Sequence, residues 1–495
     1  MPTDRASRAP LTDWLQARLD RSLPLPLYQQ LHDLLLQAVL EGALPAGARF
    51  PSSRALARDL GVARNTVMDV FEQLKAQGCL VGAHGSGTFV ADLSGERLRG
   101  RLRKAPGPAA AELSQRGASL VAHSGVAARQ WGAFMPGVPE LREFPWRAWQ
   151  QAQTRVWRQA RPELLSYAPA GGSMALRTQI ATHLGASRGV RCTPEQVIVT
   201  TGTHQSVDLC ARLLTDPGDS VVLEDPCYWG LRSTLRSLGL VLVGAPVDAQ
   251  GLQLPEAPPD PRLILVTPSH QYPLGMVMSL ARRQALLVLA HRRGCWVLED
   301  DYDSDFRYGS RPLASLQGLD GGERVIYAGS FSKTLAPGLR VGYVVVPKAL
   351  ATAFARASAE LYREGQPLQQ QVLAELMAGG HLAAHVRRMR HLYARRRQHL
   401  LQLIEGIFGD ALEVQGDAAG LHLVLRLPEA VDDVALEAAA LKDGILVRAL
   451  CPYGSAGAPM RGLLLGYGCA DEGEMDAAWQ RLARIIQAFA GRRVR

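Results

Sequence analysis

Residues 325–346, VIYAGSFSKTLAPGLRVGYVVV, place one lysine, Lys333, in a serine-rich turn between two runs of β-branched and apolar residues. Runs of that kind predict buried strands. The pattern is therefore strand, turn, strand, with Arg340 seven residues beyond the lysine. Working outward toward the N-terminus, similar short runs recur at Val197–Thr200, Ser220–Leu223, Leu263–Val266 and Trp296–Leu298, with longer helical patterns between them. Short strands alternating with helices predict an α/β fold with a mainly parallel sheet, here over residues 131–495.

A lysine after a strand in a polar turn is ordinarily just an exposed lysine, so its company decides. Pyridoxal phosphate needs an amine to form an imine, an acid to keep its ring nitrogen protonated, and several donors for its phosphate. Lys333 can be the amine. Asp300, at the carboxyl end of CWVLED, suits the ring nitrogen, and Tyr302 suits the phenolic oxygen. Ser330, Ser332 and Arg340 suit the phosphate, together with Gly202, Thr203 and His204 in the turn after VIVTT, where free backbone N–H groups favour an anion. Tyr228, in LEDPCYWG, can stack on the ring. Two other chemistries fit less well. Asp300, Asp301, Asp303 and Asp305 look like a metal cluster, but DDYDSD lacks the glycine and terminal glutamate of an EF-hand loop. TTGTHQ lacks the GK[ST] of a nucleotide-binding loop, so neither metal nor nucleotide is expected.

The N-terminal region reads differently. Leu27, Leu31, Leu34, Leu35 and Ala38 recur at helical spacing, Ser52 or Ser53 can cap a second helix ended by Gly61, and a third carries Val67, Val70, Phe71 and Leu74 on one face. Cys79–Val81 and Thr88–Val90 flank a glycine-rich hairpin, and three helices with a hairpin predict a winged helix-turn-helix. The third helix opens with Arg64, Asn65 and Thr66, residue types that read base edges in the major groove. Arg54 and Arg58 suit the DNA backbone, while His84, Gly85, Ser86 and Thr88 in the hairpin suit a close approach to phosphate or the minor groove. The expected organisation is an N-terminal extension over 1–25, a winged helix over 26–91, a basic flexible linker over 92–130, and the α/β domain over 131–495.

Composition sets the outer limits. The chain has 495 residues, 47% hydrophobic and 20% charged, which excludes a largely disordered protein and points to more than one globular unit. No apolar run reaches the roughly 18–20 residues of a membrane span, and MPTDRASRAP lacks the apolar core of a signal peptide, so a soluble cytoplasmic protein is expected. Seven cysteines without a C-x-x-C pair predict reduced, mostly buried thiols. The net charge of +9 suits a nucleic-acid partner. Arg387, Arg388, Arg390, Arg395, Arg396 and Arg397 read as a solvated or interface face of one helix.

Residues 25–90, LPLYQQLHDLLLQAVLEGALPAGARFPSSRALARDLGVARNTVMDVFEQLKAQGCLVGAHGSGTFV, closely resemble a GntR-type winged helix, which implies operator binding as a dimer. The family often has a basic residue where this chain has Met68. EDDYDSDFRY, TPSHQYPLGMVMS, GSFSKTLAPGLRVGY and PMRGLLLGYG resemble the aminotransferase-like domain of fold-type I pyridoxal phosphate proteins. Together and in this order, these segments resemble the MocR/GabR family of bacterial regulators over some nine tenths of the chain. The resemblance implies that Lys333 carries the cofactor aldimine, that Asp300 and Tyr302 hold the ring, and that Arg461 takes the α-carboxylate of an amino-acid ligand, with Tyr272 beside it. Where aminotransferases carry N-P-T-G, this chain reads Tyr272-Pro273-Leu274-Gly275, a substitution typical of the regulators.

The expected function is a pyridoxal phosphate-dependent transcription regulator that senses the cofactor, or an amino acid or amine reacting with it. The alternative is a working aminotransferase with an auxiliary N-terminal domain, but a simple transferase has no use for PSSRALARDLGVARNTV and a glycine wing. A homodimer on double-stranded operator DNA with two half-sites is expected. A linker of roughly 40 residues has a coil span of about 30–40 Å, comparable with one turn of DNA, so direct and inverted repeats are both within reach.

Overall fold

The computed structural model describes residues 9–83, 87–92, 113–122, 131–159, 161–254, 260–308, 314–363, 365–455 and 460–491. The chain forms two compact units, Met1–Glu112 and Leu113–Arg495.

In the first unit, α1 (Ala9–Gln16), α2 (Leu27–Leu40), α3 (Ser53–Leu60) and α4 (Arg64–Ala76) precede an antiparallel hairpin of β1 (Leu80–Ala83) and β2 (Gly87–Val90), with Leu80 opposite Val90. The local signals explain these boundaries. Ser52 caps α3 by accepting a hydrogen bond from the Ala55 amide at 3.2 Å, and Gly61 ends it in the left-handed conformation at φ +63°. Val67, Val70, Phe71 and Leu74 of α4 are buried against Leu31, Leu35 and Val39 of α2, and Phe50 packs edge-on to Phe71. Residues 9–25, read from the sequence only as an extension, join this core. Leu15 is fully buried in it, and the Arg21 guanidinium donates to the carbonyls of Leu60 and Gly61 at 3.2 and 3.0 Å, tying the turn between α3 and α4.

The second unit is built on a sheet of β3 (Val197–Thr200), β4 (Ser220–Asp225), β5 (Val241–Asp248), β6 (Gly251–Leu252), β7 (Leu263–Val266), β8 (Trp296–Asp301), β9 (Val325–Ser330) and β10 (Gly342–Val345). Their spatial order is β3-β10-β9-β8-β7-β4-β5-β6, so the fold is α/β as expected. β9, β8, β7, β4 and β5 are parallel, while β10 runs antiparallel to both of its neighbours. Strands covered on both faces need continuous apolar runs, which is what VIVT, LILV and VIYA supply.

A smaller antiparallel sheet follows, formed by β11 (Val414–Gln415), β12 (His422–Arg426), β13 (Arg448–Ala449) and β14 (Gly462–Gly466) in the order β11-β12-β14-β13. Its pleat splits β14 between two environments. Leu463 and Leu465 join the main core with Trp479, while Leu464 faces Leu274, Val424 and Tyr453.

The arginine-rich stretch is helical, within His381–Phe408, and only part of it is a solvated face, since Arg387, Arg388 and Arg395 are exposed while the other three arginines are not. Arg396 is buried and pairs with Glu140 at 2.8 Å, Arg390 donates to the Asp305 carbonyl, and Arg397 pairs with Asp417. These guanidiniums hold loops to the helix, because carbonyls and carboxylates converge there that the local sequence does not announce. Within the segment read as a linker, Gln115–Ala122 is helical and lies beside the helix Trp229–Ser237. All seven cysteines are free thiols, five of them buried. Among the described residues no helix is long and apolar enough to cross a membrane.

Candidate cofactor and DNA-binding sites

Sheet register gathers the residues around Lys333. Thr200 at the end of β3 lies opposite Gly342, Gly342 lies opposite Ser330 at the end of β9, and Ala328 lies beside Asp300 at the end of β8. The turns after β3, β8 and β9 therefore share one rim of the sheet, the carboxyl ends of parallel strands where open α/β folds bind ligands. The approach is close. A Cβ on Gly342 would lie 2.7 Å from the Gly202 Cα, so only glycine admits the β3 turn there.

On that rim, Gly202 begins the helix Thr203–Leu214 without a side-chain cap, leaving backbone donors open. Arg340, left-handed at φ +51°, brings its guanidinium to within 3.9 Å of a Cβ built on Gly202. Ser330 Oγ donates to Ser332 Oγ at 2.9 Å and accepts from the Ser332 amide at 3.1 Å. Uncapped backbone amides, two hydroxyls and a guanidinium thus lie along the same rim of the sheet. Beside it, His204 Nε2 lies 3.2 Å from the Tyr228 hydroxyl. Burial and the Arg340 cation both lower the pKa of His204, so its ring is neutral and orients Tyr228 without adding charge.

Lys333 Nζ donates to the Gly137 carbonyl, and its surroundings include Asp303 and Asp300. Burial lowers the lysine's pKa, while those two carboxylates oppose the shift. Asp300 is 6% exposed, and its Oδ1 has no hydrogen-bond partner. Burial, with Asp301, Asp303 and Glu224 nearby, pushes its pKa up to about 7. An orphaned buried carboxyl oxygen is expensive. A protonated pyridine nitrogen would supply the missing donor, so these residues fit pyridoxal phosphate. The neighbouring Asp301 serves the fold instead, bonded to Arg188 at 2.8 Å and to Tyr327 at 2.6 Å.

Tyr302 lies across from Tyr272, with ring centroids 5.7 Å apart and planes at 87°. Tyr272 also packs edge-on to Tyr228 and to Tyr453, so it sits inside an aromatic cluster on the side of the small sheet. Arg461 does not join the set. It precedes Gly462, and pleat alternation sends it to the face opposite Leu464, where Nη1 bonds the fully buried Asp433 at 2.8 Å. Asp433 also accepts from the amides of Leu450, Cys451 and Gly462. The expected carboxylate-binding role is therefore corrected to a structural one. Arg461→Ala should lower the Tm while leaving effector titrations of the bound cofactor unchanged, and a selective loss of amino-acid response in that variant would restore the binding role.

Of three buried residues at this site, His270 and His422 were not singled out from the sequence, and Asp303 entered there only as part of the rejected metal cluster. Each presents one potential ligand atom within 4.8 Å of the others, but both His270 nitrogens are engaged, as is His422 Nε2, 3.0 Å from the Pro273 carbonyl. Their motifs, SHQYPLG and EDDYDSDF, were visible, but nothing in the spacing pairs residues 33 positions apart.

In the first unit, Arg64 and Asn65 at the start of α4 are exposed and Thr66 is half-buried, with Arg54 and Arg58 exposed on α3. The first turn of α4 has no side-chain cap, so its amides are open as well. Thr88 lies on β2, whereas His84, Gly85 and Ser86 lie outside the described residues. Arg49, not anticipated, lies against Gly87 at the turn end of the hairpin, where β2 begins.

Residues 138–462 match the model of aminotransferase classes I and II, and residues 27–90 match that of bacterial regulatory proteins of the gntR family. The chain is 40% identical over 456 residues to the probable rhizopine catabolism regulatory protein MocR of Rhizobium meliloti, covering 92% of each. It is 32% identical to the pyridoxine biosynthesis transcriptional regulator PdxR of Corynebacterium glutamicum, over 91% of this chain and 93% of that one. Among solved structures it is similar to LysN, the α-aminoadipate aminotransferase of Thermus thermophilus in complex with N-(5'-phosphopyridoxyl)-L-leucine. That match has a TM-score of 0.68 at 28% identity, covering 76% of this chain and 99% of that one.

Proposed function

The chain belongs to the MocR family of bacterial regulators, in which a gntR-type winged helix is joined to a class I aminotransferase-like domain, and on that premise we propose that it reads operator DNA with α4 and responds to an amine or amino acid that engages the cofactor at Lys333. When bound, pyridoxal phosphate supplies an aldehyde that condenses reversibly with amines and a ring that withdraws electrons. The buried, unpartnered oxygen of Asp300 carries this reading, since such a carboxylate needs a cationic N–H to justify its place.

The chain's own residues divide the work. Asp300 holds a proton at the ring nitrogen and Tyr302 donates to the phenolic oxygen. Ser330, Ser332, Arg340 and the amides of Gly202, Thr203 and His204 hold the phosphate, and Tyr228 covers the ring. Lys333 would be the amine that an effector displaces, and once free its Nζ would donate to the Gly137 carbonyl and hold its charge near Asp303 and Asp300. That change in charge and contact gives the domain two states that a ligand can bias.

The chain works as a homodimer in the bacterial cytoplasm, associated with the nucleoid while bound to DNA. Residues 92–130 connect each reading head to the paired core. Tethered heads gain effective concentration, so the operator carries two half-sites and an isolated head binds much more weakly than the whole.

Binding of flanking chromosomal fragments, with and without cofactor and with a panel of amines and amino acids, tests this function. Specific retention of one promoter fragment that changes with an amine is the expected result. Steady transamination without any specific DNA binding would favour an enzyme instead. Within that assay, Arg64→Ala should cost about 1–3 kcal/mol of specific binding and relax preference at one base pair. Arg54→Ala should weaken binding to all sequences and flatten the salt dependence. Equal operator affinities of wild type and Arg64→Ala would remove α4 from the reading role.

A further inference from the structure

His270, in the loop after β7, touches three groups. Its Nδ1 lies 2.9 and 3.1 Å from the two oxygens of Asp303 and 3.0 Å from the Tyr302 hydroxyl, and its Nε2 lies 3.2 Å from the Gly416 carbonyl. A carbonyl only accepts, so Nε2 carries a proton. A carboxylate only accepts, so Nδ1 carries one too. The ring is an imidazolium with Asp303 as its counter-ion. Burial alone would strip the second proton, but the charge and hydrogen bond of Asp303 outweigh it and raise the pKa of His270. The other charged or titratable groups facing the ring are Arg307, which opposes that shift, Tyr302, and His422 from β12. His422 is pushed down to about 3 by burial and by His270, and is neutral.

The frame around this pair is tight. A Cβ on Gly420 would lie 2.3 Å from both Asp303 Oδ2 and His270 Cε1, so the turn between β11 and β12 closes over the pair only with glycine there. Because Nδ1–H is shared by Asp303 and the Tyr302 hydroxyl, Tyr302 receives on that side. Its own O–H is left to point elsewhere, and among the described residues no other partner takes it.

We propose that His270 is a positioning residue: clamped between Asp303 and the Gly416 carbonyl, it occupies an acceptor site of Tyr302 and so commits the tyrosine's proton to the phenolic oxygen of the cofactor. This rests on the reading that pyridoxal phosphate binds at Lys333. A donor held on that oxygen stabilises its anionic form and competes for it with the proton on the Lys333 nitrogen, so it lowers the pH at which the bound chromophore titrates.

Asp303→Asn isolates the effect. Without its counter-ion His270 gives up the Nδ1 proton, so the local net charge is unchanged, and the bare nitrogen now accepts the Tyr302 proton and turns it away from the cofactor. In spectrophotometric pH titrations of the full-length, cofactor-loaded protein, the midpoint of Asp303→Asn should rise by about one pH unit, a tenfold change in proton affinity. Tyr302→Phe should shift it the same way, and the double variant should match Tyr302→Phe alone. An unshifted Asp303→Asn protein, or full addition of the two shifts, overturns the proposal. If Asp303→Asn fails to fold, His270→Phe replaces it. There the unpartnered Asp303 takes up a proton, the midpoint must again rise, and the rise must vanish in the Tyr302→Phe background. A wild type without a titrating visible band or a borohydride-fixed adduct at Lys333 would instead refute the cofactor reading beneath the proposal.

Discussion

Lys333→Ala protein loses covalent attachment of pyridoxal phosphate altogether: borohydride fixes the cofactor to the wild-type chain at the peptide containing SFSK and fixes none to the variant. The lysine sits in the turn after β9, its Nζ held by the Gly137 carbonyl and facing Asp300 and Asp303. Burial lowers its pKa, which raises the fraction of free amine available to form the link. Alanine removes that amine and also the cation that opposes the upward shift of Asp300, so the carboxyl should hold its proton more tightly still. Some cofactor should remain bound through the phosphate contacts, but without the visible band of the covalent link. The DNA response to amines should disappear, while basal operator binding through α4 persists. Recovery of reduced cofactor on another lysine of the variant would show the assignment to be wrong.

Asp300→Asn should have the next largest effect, and in two directions. It replaces a charged partner of the ring nitrogen by a neutral one. Hydrogen bonds to charged groups contribute about 1.5–3 kcal/mol, so cofactor affinity should fall roughly tenfold to more than a hundredfold. The cofactor-free protein should become more stable at the same time. The folded-state pKa of Asp300 is raised from 3.8 to about 7, so within that window the folded protein binds a proton that the unfolded chain has released. Stability of the cofactor-free wild type should therefore fall as pH rises from about 4 to 7, and level off above. Asn does not titrate, so its advantage should be greatest near pH 8 and shrink toward pH 5, on the order of a few kcal/mol at most. Thermal unfolding of both cofactor-free proteins across that range checks the sign. An Asn variant whose relative stability is flat with pH would mean that Asp300 is not the strained carboxyl.

Much of the architecture was legible because it is written in near-neighbour patterns. The stretches VIVT, LILV and VIYA are continuous apolar runs, and each is a buried strand. The caps Ser52 and Gly61, and the stripe Val67, Val70, Phe71 and Leu74, set α3 and α4 where the spacing predicts them. β5 was missed, since VLVGAPVD interrupts its apolar pattern with glycine and proline and several of its positions are partly exposed. Gly137 was missed as well, because a backbone carbonyl that holds the lysine leaves no side-chain signature.

By itself, then, the sequence determined the winged helix, the α/β class, and the set of Lys333, Asp300, Tyr302 and Arg340 as residues that suit one cofactor. Those conclusions need only periodicity, turn chemistry and residue type, which act over a few positions along the chain. The tertiary structure alone decided which groups meet. Arg461 stood in a promising motif, but the parity of one strand and the carboxylate of Asp433, 28 residues away, turned it from the ligand. His270 and Asp303 pair across 33 residues because β7 and β8 are neighbours in the sheet and the β11–β12 turn closes over both loop ends. Register and strand order are settled by burial summed over the whole sheet, and so a side chain's partner, unlike its helix or strand, is not encoded in the residues beside it.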